Sequence, residues 1–307
     1  MLLSIIVPIY NVGGYIENCI DSLINFAPKD CEILLVDDGS TDNSGKICDE
    51  KMLIDTRIKV FHKKNGGLAD ARNYGINNAC GDFLCFVDGD DYVNENFTNI
   101  FNVIDKSCQM CIFGMNSHYI NKKVSITHKD RFFLGKNLFK ALSICTRENS
   151  ACMKIVSRKF VTENNIFFNS GFAEDFNWTG RCFLKIQSVQ KCSLIYYEYI
   201  AERQGSIMNV YKKQRFFDII TQAQGIYEEI AKSGCNKKMK KRVQQYIGFN
   251  IMSNFRHIKN LNKNDQEECL ALLEKNQHLI SAQKGLLMNL CLIFGKIFGW
   301  KTFFNII

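Results

Sequence analysis

Short apolar runs rich in β-branched residues alternate with helix-like stretches through the first hundred residues, and this alternation restricts the fold more than any other feature. LSIIVPI (3–9), EILLVD (32–37), IKVFH (58–62) and DFLCFVD (82–88) read as strands, apolar enough to be covered on both faces. Between the first two, Ile16, Cys19, Ile20, Leu23 and Ile24 fall on one helical stripe, and further helices are expected over 43–54 and 68–79. Strand–helix–strand units with short links imply an α/β fold: a mostly parallel central sheet flanked by helices, with right-handed crossovers. In such sheets ligands bind beyond the carboxyl ends of the strands. The residues directly after each run are therefore the ones to read for function.

Those strand ends carry Pro8-Ile9-Tyr10-Asn11, then Asp37-Asp38-Gly39-Ser40-Thr41-Asp42, then Asn65-Gly66-Gly67-Leu68-Ala69-Asp70-Ala71-Arg72-Asn73, then Asp88-Gly89-Asp90-Asp91. Any one of them could be a turn or a helix cap, because Gly, Asn and Asp serve both purposes. Carboxylates, glycines and an arginine at successive strand ends on one rim point further, to a polar ligand. The last cluster is the sharpest. Asp88, Asp90 and Asp91 repel one another at such spacing, and an Asp-x-Asp turn lets two carboxylates reach a single cation. Hard oxygen donors without thiolate or imidazole favour Mg²⁺ or Mn²⁺ over zinc, with substrate phosphates completing the shell. Read alone, the same residues also make a capped turn leading into a helix at Asn94.

Five stretches taken in order, SIIVPIYN (4–11), LLVDDGSTDNS (34–44), NGGLADARNYGI (65–76), FVDGDDY (86–92) and AED (173–175), closely resemble those of family 2 glycosyltransferases. These are nucleotide-sugar-dependent enzymes with the GT-A (Rossmann-like) fold, and the resemblance spans about 210 residues. It implies an inverting, hexosyltransferase-type enzyme that moves a sugar from a nucleotide donor, UDP above all, to a saccharide or lipid-linked acceptor. Bacterial-type surface polysaccharide assembly is the setting it implies. Pro8 and Tyr10 match the motif against which the donor's base and ribose pack, and Asp38 the carboxylate that accepts a hydrogen bond from uracil. Arg72 matches an arginine near the base or diphosphate, Asp88 the acidic residue close to the ribose, and Asp90 the direct ligand of the metal. Asp91 is left to a supporting position behind the ligands or to a helix cap. Asp175 matches the catalytic base, and Arg203, in an Arg-x-Gly-Ser-Ile-like segment, an arginine closing over the diphosphate. Trp178, a helical turn beyond Asp175, is either acceptor-pocket wall or core. Ala151-Cys152-Met153-Lys154 matches more softly a run ahead of the acceptor region.

The implied organisation is a GT-A domain over 1–210, divided into a nucleotide-sugar-binding half (1–110) and an acceptor-side half (111–210), followed by a basic helical region over 211–307. The charge divides at the same place. Residues 1–210 hold 23 Lys/Arg against 24 Asp/Glu, whereas residues 211–307 hold 16 against 7. KKMKKR (237–242) concentrates part of that excess, and mainly apolar and aromatic residues close the chain at 285–307. Two readings stand: a solvated face with a core helix, or an interfacial anchor with lysines near anionic lipid. The second suits an enzyme with a lipid-linked acceptor on the inner face of the membrane, and predicts that deleting 285–307 releases the protein from the membrane fraction of lysed cells. Retention of the shortened protein there would overturn it. Nucleic acid is a poor partner, since no stacking or groove-reading motif accompanies the charge. The fourteen cysteines are scattered and read as buried thiols. With an apolar start that makes a strand rather than a secretory signal, they suit a cytoplasmic protein. A sugar-nucleotide pyrophosphorylase would want a Gly-rich basic loop after the first strand, and an NAD-dependent oxidoreductase a G-x-G-x-x-G there. PIYNVGGYIENC offers neither. A non-catalytic nucleotide-sugar-binding protein of the same fold remains a further reading.

Overall fold

The computed structural model of the chain describes residues 2–143, 148–202, 211–280 and 300–301. The chain forms two compact units, the first made of Met1–Ala141, Ser150–Ser170 and Ile186–Gln204, the second of Leu142–Asn149, Gly171–Lys185 and Gly205–Ile307.

The first unit is built on a mixed sheet. Its opening half has β1 (Leu3–Ile9), β2 (Cys31–Asp37), β3 (Ile58–His62) and β4 (Phe83–Phe86), joined through α1 (Ile16–Phe26), α2 (Ser44–Met52) and α3 (Leu68–Asn78). All these strands run parallel in the order β3-β2-β1-β4, as the alternation predicts. β1, β2 and β4 are buried at every position, the expected state of strands covered on both faces. Four of the five residues of the α1 stripe are buried as well: Ile16, Cys19, Ile20 and Leu23 are all 0% exposed, while Ile24 is half-buried. Each large aliphatic fully buried contributes about 1.5–3 kcal/mol. α3 packs directly on β1 and β2.

The second half of the sheet is less regular. β5 (Tyr92–Val93), β6 (Met110–Tyr119), β7 (Lys122–Ile126), β8 (Arg131–Leu134), β9 (Lys154–Ser157) and β10 (Ser188–Ile200) extend it, with short α4 (Ile100–Val103) and α5 (Arg158–Glu163) between. β9 lies between β4 and β6 and is antiparallel to both, while β10 is parallel to β6. It follows that β1, β2, β3, β4, β6 and β10 share one direction, and their carboxyl ends form one rim. β10 is antiparallel to β8 over Ser188–Lys191 and to β5 at Tyr197 and Glu198.

The second unit is helical where described: α6 (Glu174–Lys185), α7 (Lys213–Lys232), α8 (Lys237–Phe255) and α9 (Lys263–Lys275). Phe176 and Trp178 of α6, Phe216 and Ile226 of α7, and Val243 and Tyr246 of α8 are all buried. The Tyr246 hydroxyl donates to the Phe176 carbonyl at 3.2 Å, and Arg181 pairs with Glu229 at 2.7 Å. The KKMKKR stretch opens α8, whose first turn is capped by the Asn236 side chain accepting from the Met239 N–H at 2.9 Å. Met239 turns inward at 2% exposure, whereas Lys237, Lys238 and Lys241 are exposed. Among the described residues no helix is long and apolar enough to cross a membrane. The anchor reading of 285–307 lies outside the described residues except at Trp300, which meets Phe255 edge-on with ring centroids 5.8 Å apart, and Lys301, which pairs with Glu267 at 2.8 Å.

Candidate functional site

The register of the parallel strands brings the predicted residues of the first unit to one level. Ile9 pairs with Asp37, Asp37 with His62, and Ile6 with Phe86, so Asp88, two residues past Phe86, stands level with Pro8. Pro8 is buried in β1, and Tyr10, at the strand's exit, is 50% exposed. An aromatic ring left half in solvent at a strand end is a ready platform for a flat ligand.

Asp38 follows β2 and is 2% exposed. Its Oδ1 accepts from Lys63 Nζ at 2.5 Å and from the Gly66 N–H at 3.0 Å, and its Oδ2 from the Gly67 N–H at 2.7 Å. The carboxylate thus holds the Asn65-Gly66-Gly67 loop against the strand end and keeps lone-pair capacity for one more donor. Gly39 makes the turn possible. Its φ is +75°, and a Cβ there would lie 3.0 Å from the Asn65 amide nitrogen. Beside it, Asp37 accepts from the Ser40 N–H at 2.9 Å and meets His62 Nδ1 at 2.9 Å. Hydrogen bonds to Asp37 and then Asp49 raise the His62 pKa.

Arg72 lies on α3 at 1% exposure, with its guanidinium carbon 5.2 Å from the centroid of the Phe168 ring. Its Nη2 donates to Asp88 Oδ1 at 2.8 Å, a charge-assisted bond that orients the first carboxylate of the acidic turn. The neighbouring Asn73 clamps the segment that carries Phe168: its Nδ2 donates to the Phe168 carbonyl at 2.8 Å, and its Oδ1 accepts from the Phe168 N–H at 2.8 Å.

The acidic turn closes through the Asp91 N–H, which donates to the Asp88 carbonyl at 3.0 Å. Gly89 allows it to lie against the exit of β1, since a Cβ there would come within 3.2 Å of the Pro8 carbonyl and 3.3 Å of Ile16 and Val12 side-chain carbons. Asp88 and Asp90 are half-buried, while Asp91 is 2% exposed. Of the two roles left open for Asp91, the cap belongs to another residue: the Asn94 side chain accepts from the Asn96 N–H at 3.0 Å and starts the short 3-10 helix Glu95–Asn99. Asp91 instead turns toward β10, where its Oδ2 accepts from the Tyr197 hydroxyl at 2.5 Å and its Oδ1 from the Ile200 N–H at 2.8 Å. Burial, then the charges of Asp90 and Asp88, push its carboxyl well above the usual range. Burial and the same three carboxylates push up the Cys19 thiol beneath the turn.

That field of negative charge and that donor set fit a divalent cation. Among the described residues no cluster of three or more Asp, Glu, His or Cys is disposed to cage a metal. Asp88 and Asp90 supply the number of carboxylates that the other kind of site would need, in which one or two carboxylates share the ion with substrate phosphates.

Sequence reading left β10 unassigned, and it supplies the residues that were missed. Tyr197 and Glu198 are 1% and 4% exposed. Glu198 accepts from Asn94 Nδ2 at 2.6 Å, Asn116 Nδ2 at 2.7 Å and His118 Nε2 at 2.5 Å. Against the effect of burial, these bonds hold its carboxyl below the usual range. The alternation of buried tyrosines with a glutamate in SLIYYEYI was the one available signal. Lys154, in the softly matched run, is 1% exposed and donates to the Ser150 carbonyl at 2.7 Å.

Asp175 belongs to the second unit, in the first turn of α6 and half-buried. The chain reaches it through left-handed backbone, with φ +99° at Gly171 and φ +64° at Ala173. Such strain in an alanine costs on the order of 1 kcal/mol and persists only where neighbours impose it. Here the Phe172 N–H donates to Asp218 Oδ2 at 2.9 Å, and Arg215 lies over the Phe172 ring at 4.2 Å. The helix amino end favours an ionised carboxylate at Asp175. Trp178 is 0% exposed, which settles its two readings in favour of core. Arg203 lies outside the described residues.

The profile of "Glycosyl transferase family 2" matches residues 4–170. Glycosyltransferase GlyG of Streptococcus pneumoniae serotype 4 is 50% identical over 96 residues, which is 31% of this chain and 32% of GlyG; the match thus spans less than a third of that relative's length. The crystal structure of S. aureus TarS 1-349 in complex with UDP-GlcNAc superposes with a TM-score of 0.77 at 21% identity, over 99% of this chain and 91% of TarS 1-349. The match shows the GT-A fold, a central sheet flanked by helices. The mannosyltransferase PcManGT from Pyrobaculum calidifontis, solved with GDP-Man and Mn²⁺, gives a TM-score of 0.52 at 13% identity, over 99% of this chain and 83% of that one.

Proposed function

Since the chain belongs to glycosyl transferase family 2, we propose that it transfers a hexosyl group from a UDP-linked donor to a hydroxyl of a saccharide or lipid-linked saccharide, with inversion at the anomeric carbon. The observation that carries this reading is the Asp88-Gly89-Asp90 turn at the strand rim, with the buried Arg72 bonded to Asp88. The UDP-GlcNAc complex of TarS and the GDP-Man and Mn²⁺ complex of PcManGT support a nucleotide sugar as donor and a divalent cation beside it.

Each side chain then has a task. Tyr10 offers its exposed face, and Pro8 a rigid floor, to the base and ribose. Asp38 accepts from the uracil N–H while holding the Gly66-Gly67 loop in place. Asp88, aimed by Arg72, lies nearest the ribose, and Asp88 and Asp90 hold Mg²⁺ or Mn²⁺. When bound, the ion supplies positive charge to the diphosphate leaving group. Arg203 adds a further cation over the diphosphate. Asp175 takes the proton from the acceptor hydroxyl as its oxygen attacks the anomeric carbon and the bond to the diphosphate breaks. A single base and an in-line displacement give inversion. The basic face of α8 suits anionic lipid and an acceptor assembled at the inner face of a membrane, as part of polysaccharide synthesis.

The test is a panel of nucleotide sugars incubated with the full chain, Mn²⁺, and free or lipid-linked saccharides, with nucleoside diphosphate release as the readout. Acceptor-dependent release of UDP from one donor is the expected result. Absence of release from every donor would leave only the non-catalytic binding protein, and pyrophosphate-dependent formation of a nucleoside triphosphate would identify a nucleotidyltransferase.

A further inference from the structure

A phenolic oxygen bridges the acidic turn from behind. Tyr197 sits on β10 opposite Met115 of β6 on one side and Val93 of β5 on the other, at 1% exposure. Its hydroxyl donates to Asp91 Oδ2 at 2.5 Å and accepts from the Asp88 N–H at 3.2 Å. One group therefore binds the first and last residues of the turn, while the Ile200 N–H, on the same strand, takes the other Asp91 oxygen at 2.8 Å. β10 also grips the next stretch of chain, through Glu198 and Asn94 at 2.6 Å.

Crowded carboxylates relieve their repulsion by splaying apart, and a free turn would do so. Resting on a ring held between two strands, this turn cannot splay without breaking both bonds of the hydroxyl. We infer that Tyr197 is a positioning residue for cation binding: by bridging the Asp88 amide and the Asp91 carboxylate, it fixes the direction in which Asp88 and Asp90 present their oxygens to a divalent ion and the donor diphosphate. The inference rests on the cation reading given above. It also gives Asp91 its task, which is to receive the strut rather than the metal.

Tyr197→Phe keeps the ring and its packing and removes only the bridge. Partners of this kind, one step behind the ligands, change metal affinity by about 10–100-fold when lost. With saturating UDP, the free-Mn²⁺ signal in electron paramagnetic resonance is expected to report about a tenfold weaker Mn²⁺ affinity for Tyr197→Phe. In the metal-free protein, the amides of Asp88 and Asp91 are expected to exchange with solvent faster than in wild type, with circular dichroism unchanged. Asp91→Ala removes the acceptor at the other end of the strut and is expected to speed the same amides, which keeps the test available should Tyr197→Phe not fold. Unchanged Mn²⁺ affinity and unchanged exchange in a folded variant, alongside weakened Mn²⁺ binding in Asp90→Ala, would overturn the role of Tyr197 and leave the cation reading standing. Unchanged Mn²⁺ binding in Asp90→Ala as well would overturn both.

Discussion

Asp175→Asn is expected to slow sugar transfer by about 10³-fold while leaving UDP and Mn²⁺ binding as in wild type. A positioned general base contributes roughly 10²–10⁴-fold to such a reaction, and the asparagine amide keeps the size of the side chain while losing its basicity. The site tolerates the exchange structurally. Asp175 occupies the first turn of α6, and the backbone leading into that helix is held by Asp218 and Arg215. Loss of rate with intact binding is the signature of a group that acts in the transition state only. Rates come from acceptor-dependent UDP release, and binding from titration calorimetry with UDP and Mn²⁺. Transfer within tenfold of wild type would remove Asp175 from the role of base, and a parallel loss of UDP affinity would make it a binding residue instead.

The parts of this fold that sequence makes legible are those whose burial is uniform and whose partners are near in the chain. β1, β2 and β4 are buried at every position and therefore read as continuous apolar runs. The stripe of α1 is legible for the same reason. β10 is not, because a strand bonded to parallel β6 on one side and to the short antiparallel β8 and β5 on the other carries Lys, Ser and Glu among its tyrosines and loses both the alternating and the continuous pattern. The site divides along the same line. Asp38, Arg72, Asp88 and Asp90 stand at the ends of legible strands or on the helices between them, so topology alone brings the first-unit residues to one rim. The role of Asp91 could not be read, because what decides it is Tyr197, 106 residues further along the chain. Trp178 stayed open because an aromatic residue beside a catalytic motif has the same local sequence whether it is core or pocket.

Asp90→Ala should lose both the cation and, with it, the metal-dependent part of donor binding. Asp88 is oriented by Arg72 at 2.8 Å, and Asp90 is the residue that matches the family's direct metal ligand, so the ion's hold on the turn is expected to depend most on Asp90. Electrophilic assistance to a leaving diphosphate contributes several kcal/mol, and about 3 kcal/mol corresponds to on the order of 10²-fold in rate. Transfer is therefore expected to fall by at least about 10²-fold, with Mn²⁺ affinity in the presence of UDP falling alongside it. The fold should not suffer. After burial, the Asp90 charge is the strongest influence pushing the Asp91 carboxyl upward, so its removal relieves repulsion against a buried group, and the variant is expected to unfold at a temperature no lower than wild type. Weakened binding in a protein that is as stable as before, or more so, is the behaviour of a residue retained for function at the expense of stability. Thermal unfolding by circular dichroism and Mn²⁺ titration with and without UDP measure the two sides. Wild-type Mn²⁺ affinity in Asp90→Ala would move the cation away from this turn, and an early unfolding transition would recast the acidic cluster as structural.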